Sequence, residues 1–191
     1  MVCSARSLAR RWLVAAAAGV VVLGGVVAAG PAAADWPASQ QNFRIASVGV
    51  SGACVSVVGE DVALRPCTTP VGADQTWTAL DGTYSTRLGN PATRTCLLYE
   101  TDNGVHFRTV DCRDTRLGNQ EWRYVLVKGY SDRGVIHQRN FGRGPLTCWS
   151  AFTSGDGSTG TVGGIRLNSE CDSIKGDALP RANMWTVTPV G

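Results

Sequence analysis

The chain has 191 residues, of which 18 are basic and 15 are acidic, so its formal net charge at pH 7 is +3. The arginines are scattered singly among acidic residues, and this lack of a basic patch argues against nucleic acid as a partner. The length suits one domain with a hydrophobic core of its own.

The first 34 residues have the pattern of a secretory signal peptide. Three arginines precede an apolar run from Leu13 to Ala29, and three small residues at 32–34 follow it. The pattern predicts cleavage before Asp35 and secretion, with an uncleaved membrane anchor as the alternative because the apolar run is long. Cleavage would leave 157 residues with 15 basic and 15 acidic side chains, a nearly neutral protein.

A cysteine-bounded unit then occurs three times. Each unit has a cysteine with a short extended run, a second extended run ending in a cysteine, a polar loop, and a Gln-x-Trp triplet or a close relative. The units begin at Cys54, Cys96 and Cys148 and end at Trp77, Trp122 and Trp185. A repeat of roughly 40 to 60 residues is too small to bury its own apolar face, so the units are expected to share one core.

Six cysteines lie beyond the signal peptide, an even number in a chain predicted to be secreted. Six cysteines allow 15 pairings, but the repeat selects one because each unit carries two in equivalent places: Cys54 with Cys67, Cys96 with Cys112, and Cys148 with Cys171. A metal site is not predicted, because no Cys-x-x-Cys pair occurs and the only histidines, His106 and His137, lie in different units. No cofactor is predicted either.

Apolar and polar residues alternate with period two in short runs bounded by Gly, Asp or Pro, which predicts four strands per unit. The predicted strands are 43–48, 54–57, 62–64, 77–80, 84–88, 96–99, 105–110, 122–127, 135–139, 148–152, 164–167 and 185–188. Residues 35–41 are polar and are expected to form a short linker, and residues 42–191 form the domain. Three units of four strands fit an all-β, disulfide-linked β-trefoil, a closed six-stranded barrel capped by three hairpins about a pseudo-threefold axis.

The triplets that end the units are interpreted first as structural. Their three tryptophans recur at equivalent places and are expected to fill a shared core layer. Gln75 and Gln120 are expected to satisfy main-chain groups in the turn just ahead, because a polar side chain beside a buried ring otherwise loses its hydration without compensation.

These residues resemble the ricin B-type β-trefoil lectins, including secreted bacterial members, whose units carry Cys-x-Asp, Val-x-Leu-x-x-Cys and Gln-x-Trp motifs. The resemblance covers residues 42–190. It rests on Phe43-Arg44-Ile45, the stretch 62–67, Gln75-Thr76-Trp77, Gln120-Glu121-Trp122, Ile165-Arg166-Leu167, Trp185 and the six paired cysteines.

The resemblance implies binding of galactose-type or related sugars in shallow pockets, one per unit. In the family an aspartate of Cys-x-Asp accepts hydrogen bonds from sugar hydroxyls, a hairpin ring stacks on the sugar, and an Asn before Gln-x-Trp assists. This sequence has Ser56, Leu98 and Ser150 at the aspartate positions. Neutral groups bond about half as strongly as charged ones, so family-type affinity is reduced in every unit.

Unit two is the best equipped of the three for sugar binding. Its candidate residues are Tyr99, Glu100, Asp102, His106, Phe107 and Asn119, the last of which matches the family's Asn. Unit three is the second choice, with Trp149, Phe152 and Asp156 but with Ala182 in place of the Asn, and unit one is expected to be silent. The alternative is that the rings are packing residues and the acids solvate a turn.

No catalytic pattern is present, because the chain lacks both a Gly-x-Ser-x-Gly elbow and a His-Glu-x-x-His motif. We therefore expect a non-catalytic protein whose partners are glycans or another extracellular surface component. The rival expectation is a trefoil that has lost its sugar sites and binds a protein, as an inhibitor or a toxin's accessory subunit. The fold hosts both functions and does not decide between them.

Overall fold

The structure is a computed structural model that describes residues 36–100, 106–114, 119–138, 147–154, 161–169 and 171–191. The predicted signal peptide at 1–34 lies outside the described residues, as do the candidate acids Asp102 and Asp156. Within the described part, no helix is long and apolar enough to cross a membrane.

The protein is all-β, and the twelve predicted strands are present. They are β1 (Asn42–Ser47), β2 (Ala53–Val58), β3 (Asp61–Pro66), β4 (Trp77–Ala79), β5 (Thr86–Asn90), β6 (Thr95–Glu100), β7 (His106–Asp111), β8 (Glu121–Leu126), β9 (Gly134–Gln138), β10 (Cys148–Thr153), β11 (Gly163–Asn168) and β12 (Trp185–Pro189). Short 3-10 segments at Ala73–Gln75, Ser173–Ala178 and Arg181–Asn183 lie between strands.

The strand predicted at 84–88 begins two residues later than expected. The hydroxyl of Thr86 accepts hydrogen bonds of 2.9 Å from the main-chain N–H groups of Leu80 and Asp81, which holds the preceding segment in a turn. Tyr84 therefore lies outside the strand, with the guanidinium carbon of Arg123 4.0 Å from its ring centroid. The alternating pattern alone did not reveal this turn.

Six strands form a closed ring. β1 pairs with β4 and β12, β4 with β5, β5 with β8, β8 with β9, and β9 with β12. All of these pairs are antiparallel. A closed ring has no free strand edge, so its main-chain groups are satisfied within the sheet.

The other six strands form three hairpins, β2–β3, β6–β7 and β10–β11, each with six residue pairs in register. Each hairpin joins the ring through its first strand, which pairs with β1, β5 or β9. The hairpins also meet one another, since β3 pairs with β7 and with β11. The same strand order thus occurs three times.

Each hairpin is held by its own disulfide, as the sequence predicted. The bonds join Cys54 to Cys67, Cys96 to Cys112, and Cys148 to Cys171. The first cysteine of each pair lies on the first hairpin strand, and the second follows the end of the other strand. In the chain-entropy model each bond contributes on the order of 3 kcal/mol to the free energy of unfolding.

The tryptophans that end the units lie in one shared core, as predicted. Trp77, Trp122 and Trp185 are fully buried. A fourth indole, Trp149, joins two of them, with ring centroids 5.1 Å from Trp122 and 5.7 Å from Trp185. Burial of such large apolar side chains is the main favourable contribution to folding.

The glutamines that precede two of these tryptophans also make the predicted contacts. The amide of Gln75 donates to the carbonyl of Pro66 at 2.8 Å and accepts from the N–H of Thr68 at 3.0 Å. The amide of Gln120 donates to the carbonyl of Asp114 at 3.2 Å. Both side chains therefore satisfy main-chain groups just ahead of the buried ring.

The segment expected to be a short polar linker contains a core residue. Trp36 is 2% exposed and donates its indole N–H to the carbonyl of Trp122 at 3.0 Å. Its ring lies 5.5 Å from the rings of Phe43 and Tyr124. This end of the segment is therefore packed against the barrel and not exposed to solvent.

Candidate functional site

The hairpin β6–β7 of unit two turns one face toward the core. Tyr99 lies opposite Phe107, with ring centroids 5.3 Å apart, and Phe107 contacts the core rings of Trp122 and Trp149. Phe107 is 2% exposed and Trp149 is fully buried, so neither ring presents a face to solvent. The packing alternative describes both rings, and we do not retain them as sugar contacts.

Tyr99 lies at the edge of this core. Its side chain is largely buried, and burial raises the pKa of its hydroxyl above the ordinary value of 10. The hydroxyl is therefore neutral at physiological pH. A neutral phenol both donates and accepts hydrogen bonds.

The same hairpin carries a charged group, the Glu100 cluster, formed by Glu100, His106 and Arg108. The carboxylate of Glu100 is buried, 3.0 Å from the Nε of Arg108 and 3.6 Å from the Nε2 of His106. The side chains of His106 and Arg108 are about a third exposed. A buried carboxylate requires such partners, since removing one leaves an uncompensated charge.

A polar hollow of about 370 Å³ adjoins the cluster through Arg108. Its acidic lining residues are Glu60, Asp111 and Asp114, and its hydroxyl-bearing ones are Thr93, Thr95 and Thr109. We call it the polar hollow. The hollow offers several acceptors, a guanidinium donor and hydroxyls that do both, which is the set of groups that a polyhydroxylated ligand needs.

Sequence reasoning did not select Arg108 or Glu60. Arg108 lies opposite Leu98 and Asp61 in the strand register, so its neighbours come from two different units. The signal available for Arg108 was its diagonal cross-strand position relative to Glu100, two residues along β7 from His106. No comparable signal existed for Glu60, because the pairing of β3 with β7 joins residues far apart in the chain.

The described hydrogen bond of Asn119 is not with the Glu100 cluster. Its carbonyl oxygen accepts a hydrogen bond of 3.4 Å from the amide of Gln138, at the end of β9. The side chain is half-buried. The structure thus brings Tyr99, Glu100 and His106 together on one hairpin and places Asn119 beside the next unit.

The positions that hold the family's aspartate are buried in all three units. Ser56 and Leu98 are fully buried and Ser150 is 1% exposed. The hydroxyl of Ser56 donates to the carbonyl of Cys54 at 3.1 Å. These side chains are therefore packed inside the hairpins and are not exposed to solvent.

The described residues contain no group of three or more His, Cys, Asp or Glu side chains placed to hold a metal ion. The closed ring, the three disulfide-bonded hairpins and the polar hollow define an all-β, disulfide-bonded protein with a candidate ligand site on its hairpins. No model of a known protein family matches the chain, and no curated protein sequence matches it.

Solved structures do match this fold. The alignment with the BEL β-trefoil has a TM-score of 0.59 at 14% identity and covers 81% of this chain and 97% of that chain. The alignment with a cytolethal distending toxin from Actinobacillus actinomycetemcomitans has a TM-score of 0.57 at 17% identity and covers 78% of this chain and 91% of that chain. The alignment with the Macrolepiota procera ricin B-like lectin in complex with lactose has a TM-score of 0.56 at 17% identity and covers 78% of this chain and 96% of that chain. At such identities the likeness concerns the fold alone.

Proposed function

We propose that the chain is a ricin B-type β-trefoil, pseudo-threefold and secreted, that binds carbohydrate and catalyses no reaction. The likeness to a lectin solved with lactose supports the carbohydrate class. The threefold strand order and the three clasped hairpins support the trefoil.

The observation that carries the proposal is the polar hollow. Its volume of about 370 Å³ falls within the range typical of small-ligand pockets. Carboxylates accept hydrogen bonds from sugar hydroxyls more strongly than neutral oxygens do, and Glu60 and Asp111 supply them here. Arg108, whose Nε lies 3.0 Å from the carboxylate of Glu100, also lines the hollow and supplies guanidinium donors.

Binding at this hollow is expected to be weak, because none of the described residues that line it is aromatic. Strength would then come from engaging more than one hollow or more than one molecule, which raises the effective concentration of the second contact. This suits a ligand that displays many copies of a sugar, such as a glycan-coated surface.

Secretion is supported by the signal pattern at 1–34 and by the three disulfides, since disulfides persist in oxidising compartments. An uncleaved signal would instead anchor the protein to the membrane. Sequencing the N-terminus of the exported protein distinguishes the two: Asp35 as first residue supports release, and an intact leader supports the anchor.

A protein-binding role is the second candidate. It is favoured because Ser56, Leu98 and Ser150 replace the family's aspartate and are buried, so no unit presents that sugar acceptor. The fold is also similar to that of a cytolethal distending toxin, which supports a role outside the lectins.

A glycan array followed by isothermal titration with the purified protein tests the proposal. Glu60→Gln keeps the shape of an exposed lining residue and removes its charge, so sugar affinity is expected to fall about three- to tenfold. Asp132→Asn is the matched control, because that carboxylate is exposed on the turn between β8 and β9. Absence of binding to any sugar at millimolar concentration would favour the protein-binding role.

A further inference from the structure

A second hollow, of about 430 Å³, lies where the three hairpins meet. We call it the cap hollow. Its walls come from β3 of unit one, β7 of unit two, and β10 and β11 of unit three, so every repeat contributes to it. Its lining residues differ from those of the polar hollow.

The strand register explains how one site arises from three different repeats. Four residues after the first cysteine, the units carry Val58, Glu100 and Phe152. Each of these residues pairs with one residue on the second strand of its own hairpin. Those partners are Asp61, His106 and Gly164, and all three line the cap hollow. The repeat therefore brings an acid, an imidazole and a glycine to equivalent places around one cavity.

Phe152 gives this cavity an aromatic wall. It is 40% exposed, whereas Tyr99 and Phe107 of unit two are buried. A Cβ placed on Gly164 would lie 2.6 Å from the Cζ of Phe152, so the ring occupies the space that any other residue there would fill. The glycine thus leaves room for the ring, part of which faces solvent.

Two charged side chains line the cap hollow together with the ring. Arg166 has its guanidinium carbon 5.8 Å from the Phe152 ring centroid, and Asp61 is exposed at the start of β3. In the described part of the chain neither side chain forms a hydrogen bond or an ion pair. Both are therefore available to a ligand, one as a donor and the other as an acceptor.

We propose that the cap hollow is a separate carbohydrate subsite for one neutral hexopyranose, with its C–H face on Phe152 and its hydroxyls on Asp61 and Arg166. A pocket of this size, with an apolar wall and a few orienting polar groups, suits a small ligand. The lining carries one carboxylate and one guanidinium, whose charges balance, so it does not favour a charged sugar. This inference rests on the proposed carbohydrate function and adds the aromatic contact that the polar hollow lacks.

Titration of the purified protein with methyl glycosides of neutral hexoses tests the subsite. Phe152→Ala is expected to weaken binding about tenfold, as loss of a ring contact predicts. Tyr84→Ala is the matched control. Tyr84 is also an exposed ring in contact with an arginine, and it is not among the residues that line the cap hollow. Asp61→Asn preserves side-chain shape and is expected to weaken binding with no change in the unfolding midpoint.

The outcomes separate this subsite from the general function. Sugar binding that Glu60→Gln weakens, while Phe152→Ala and Asp61→Asn leave it unchanged, would overturn the subsite and keep the carbohydrate function. Binding of methyl glucuronate in preference to the neutral glycosides would overturn the neutral-ligand assignment. If no glycoside binds at millimolar concentration, both proposals fail together.

Discussion

The indole N–H of Trp77, the first residue of β4, donates a hydrogen bond of 2.9 Å to the carbonyl oxygen of Val55 on β2. The same contact joins Trp185 to Trp149 at 3.1 Å and Trp122 to Leu97 at 3.5 Å. In each unit the acceptor is the residue after the first cysteine. The closing tryptophan of every repeat therefore fixes the start of its own hairpin to the ring.

Trp77→Phe tests this contact. The change removes the donor, leaves a buried carbonyl without its partner, and reduces the ring volume, so we expect a loss of about 2–4 kcal/mol in the free energy of unfolding. Trp122→Phe is the matched comparison, because its 3.5 Å contact is at the limit of hydrogen bonding and its loss should be smaller. Urea denaturation measures both, and equal losses would show that the hydrogen bond adds nothing beyond packing.

The disulfides offer a second test. Replacing both cysteines of one pair by Ala is expected to cost roughly 3 kcal/mol for each unit, and slightly more for Cys148–Cys171 than for Cys54–Cys67 because it closes the longer loop. The sequence separations are 23 and 13 residues. Thermal unfolding of the paired variants measures the cost, and peptide mapping by mass spectrometry checks the pairing. Bridges between units would contradict the repeat assignment.

Trp36 leads to a prediction about the N-terminus. Cleavage before Asp35 would leave this buried indole as the second residue of the released protein, tied by its main-chain N–H to the carbonyl of Thr83 at 2.8 Å. Trp36→Ala is expected to cost about 3–5 kcal/mol, as for other buried tryptophans. Ser39→Ala, in the same segment, serves as a control with little expected effect. A similar midpoint for both variants in thermal unfolding would argue against a core role for Trp36.

His137 on β9 predicts a loss of stability in mild acid. Burial, together with the positive charge of Arg123 opposite it, lowers the pKa of His137 from its ordinary 6.5 to about 4. The unfolded chain therefore binds a proton that the folded chain does not, and stability present above pH 6.5 is lost as the pH falls toward 4. The loss amounts to as much as about 3 kcal/mol.

Urea denaturation at several pH values measures this effect. His137→Gln should remove the part of the slope between pH 6.5 and 4, even where the variant is less stable overall. Asp81 does not interfere, because the hydrogen bond from Arg87 lowers the pKa of its carboxyl below 3.8 and moves its contribution to stronger acid. An unchanged slope in the variant would rule out the histidine as the source.

Asn119→Ala tests the resemblance of unit two to the lectins. We expect weaker sugar binding with no shift in the unfolding midpoint, because the described contact of Asn119 with Gln138 is long, at 3.4 Å. Asp74→Ala is the matched control, since Asp74 holds the same place before Gln75 in the unit expected to be silent. Isothermal titration measures the sugar affinity, and scanning calorimetry measures the unfolding midpoint. Unchanged binding in Asn119→Ala would remove that residue from the site.

The architecture was largely predictable from the order of residues. The cysteines repeat in pairs, apolar residues alternate with period two, and a tryptophan closes each unit, so strand number, disulfide pairing and a shared core all followed from local patterns. Such patterns report on hairpins whose partners are near in the chain. The pairing of Cys96 with Cys112 and the burial of Trp122 are examples.

The candidate site was less predictable, because its residues meet across long sequence distances. Alternation showed that Phe107 and Trp149 lie on strands, but only the packed structure placed both inside, and only the packed structure put Trp36 in the core. The sequence by itself determined three disulfide-bonded units around buried tryptophans, since each unit is specified by residues that are near one another in the chain. The tertiary structure decided which side chains line the hollow where the hairpins meet, because Asp61 and Phe152 come from different units and share that hollow through contacts that no local pattern records.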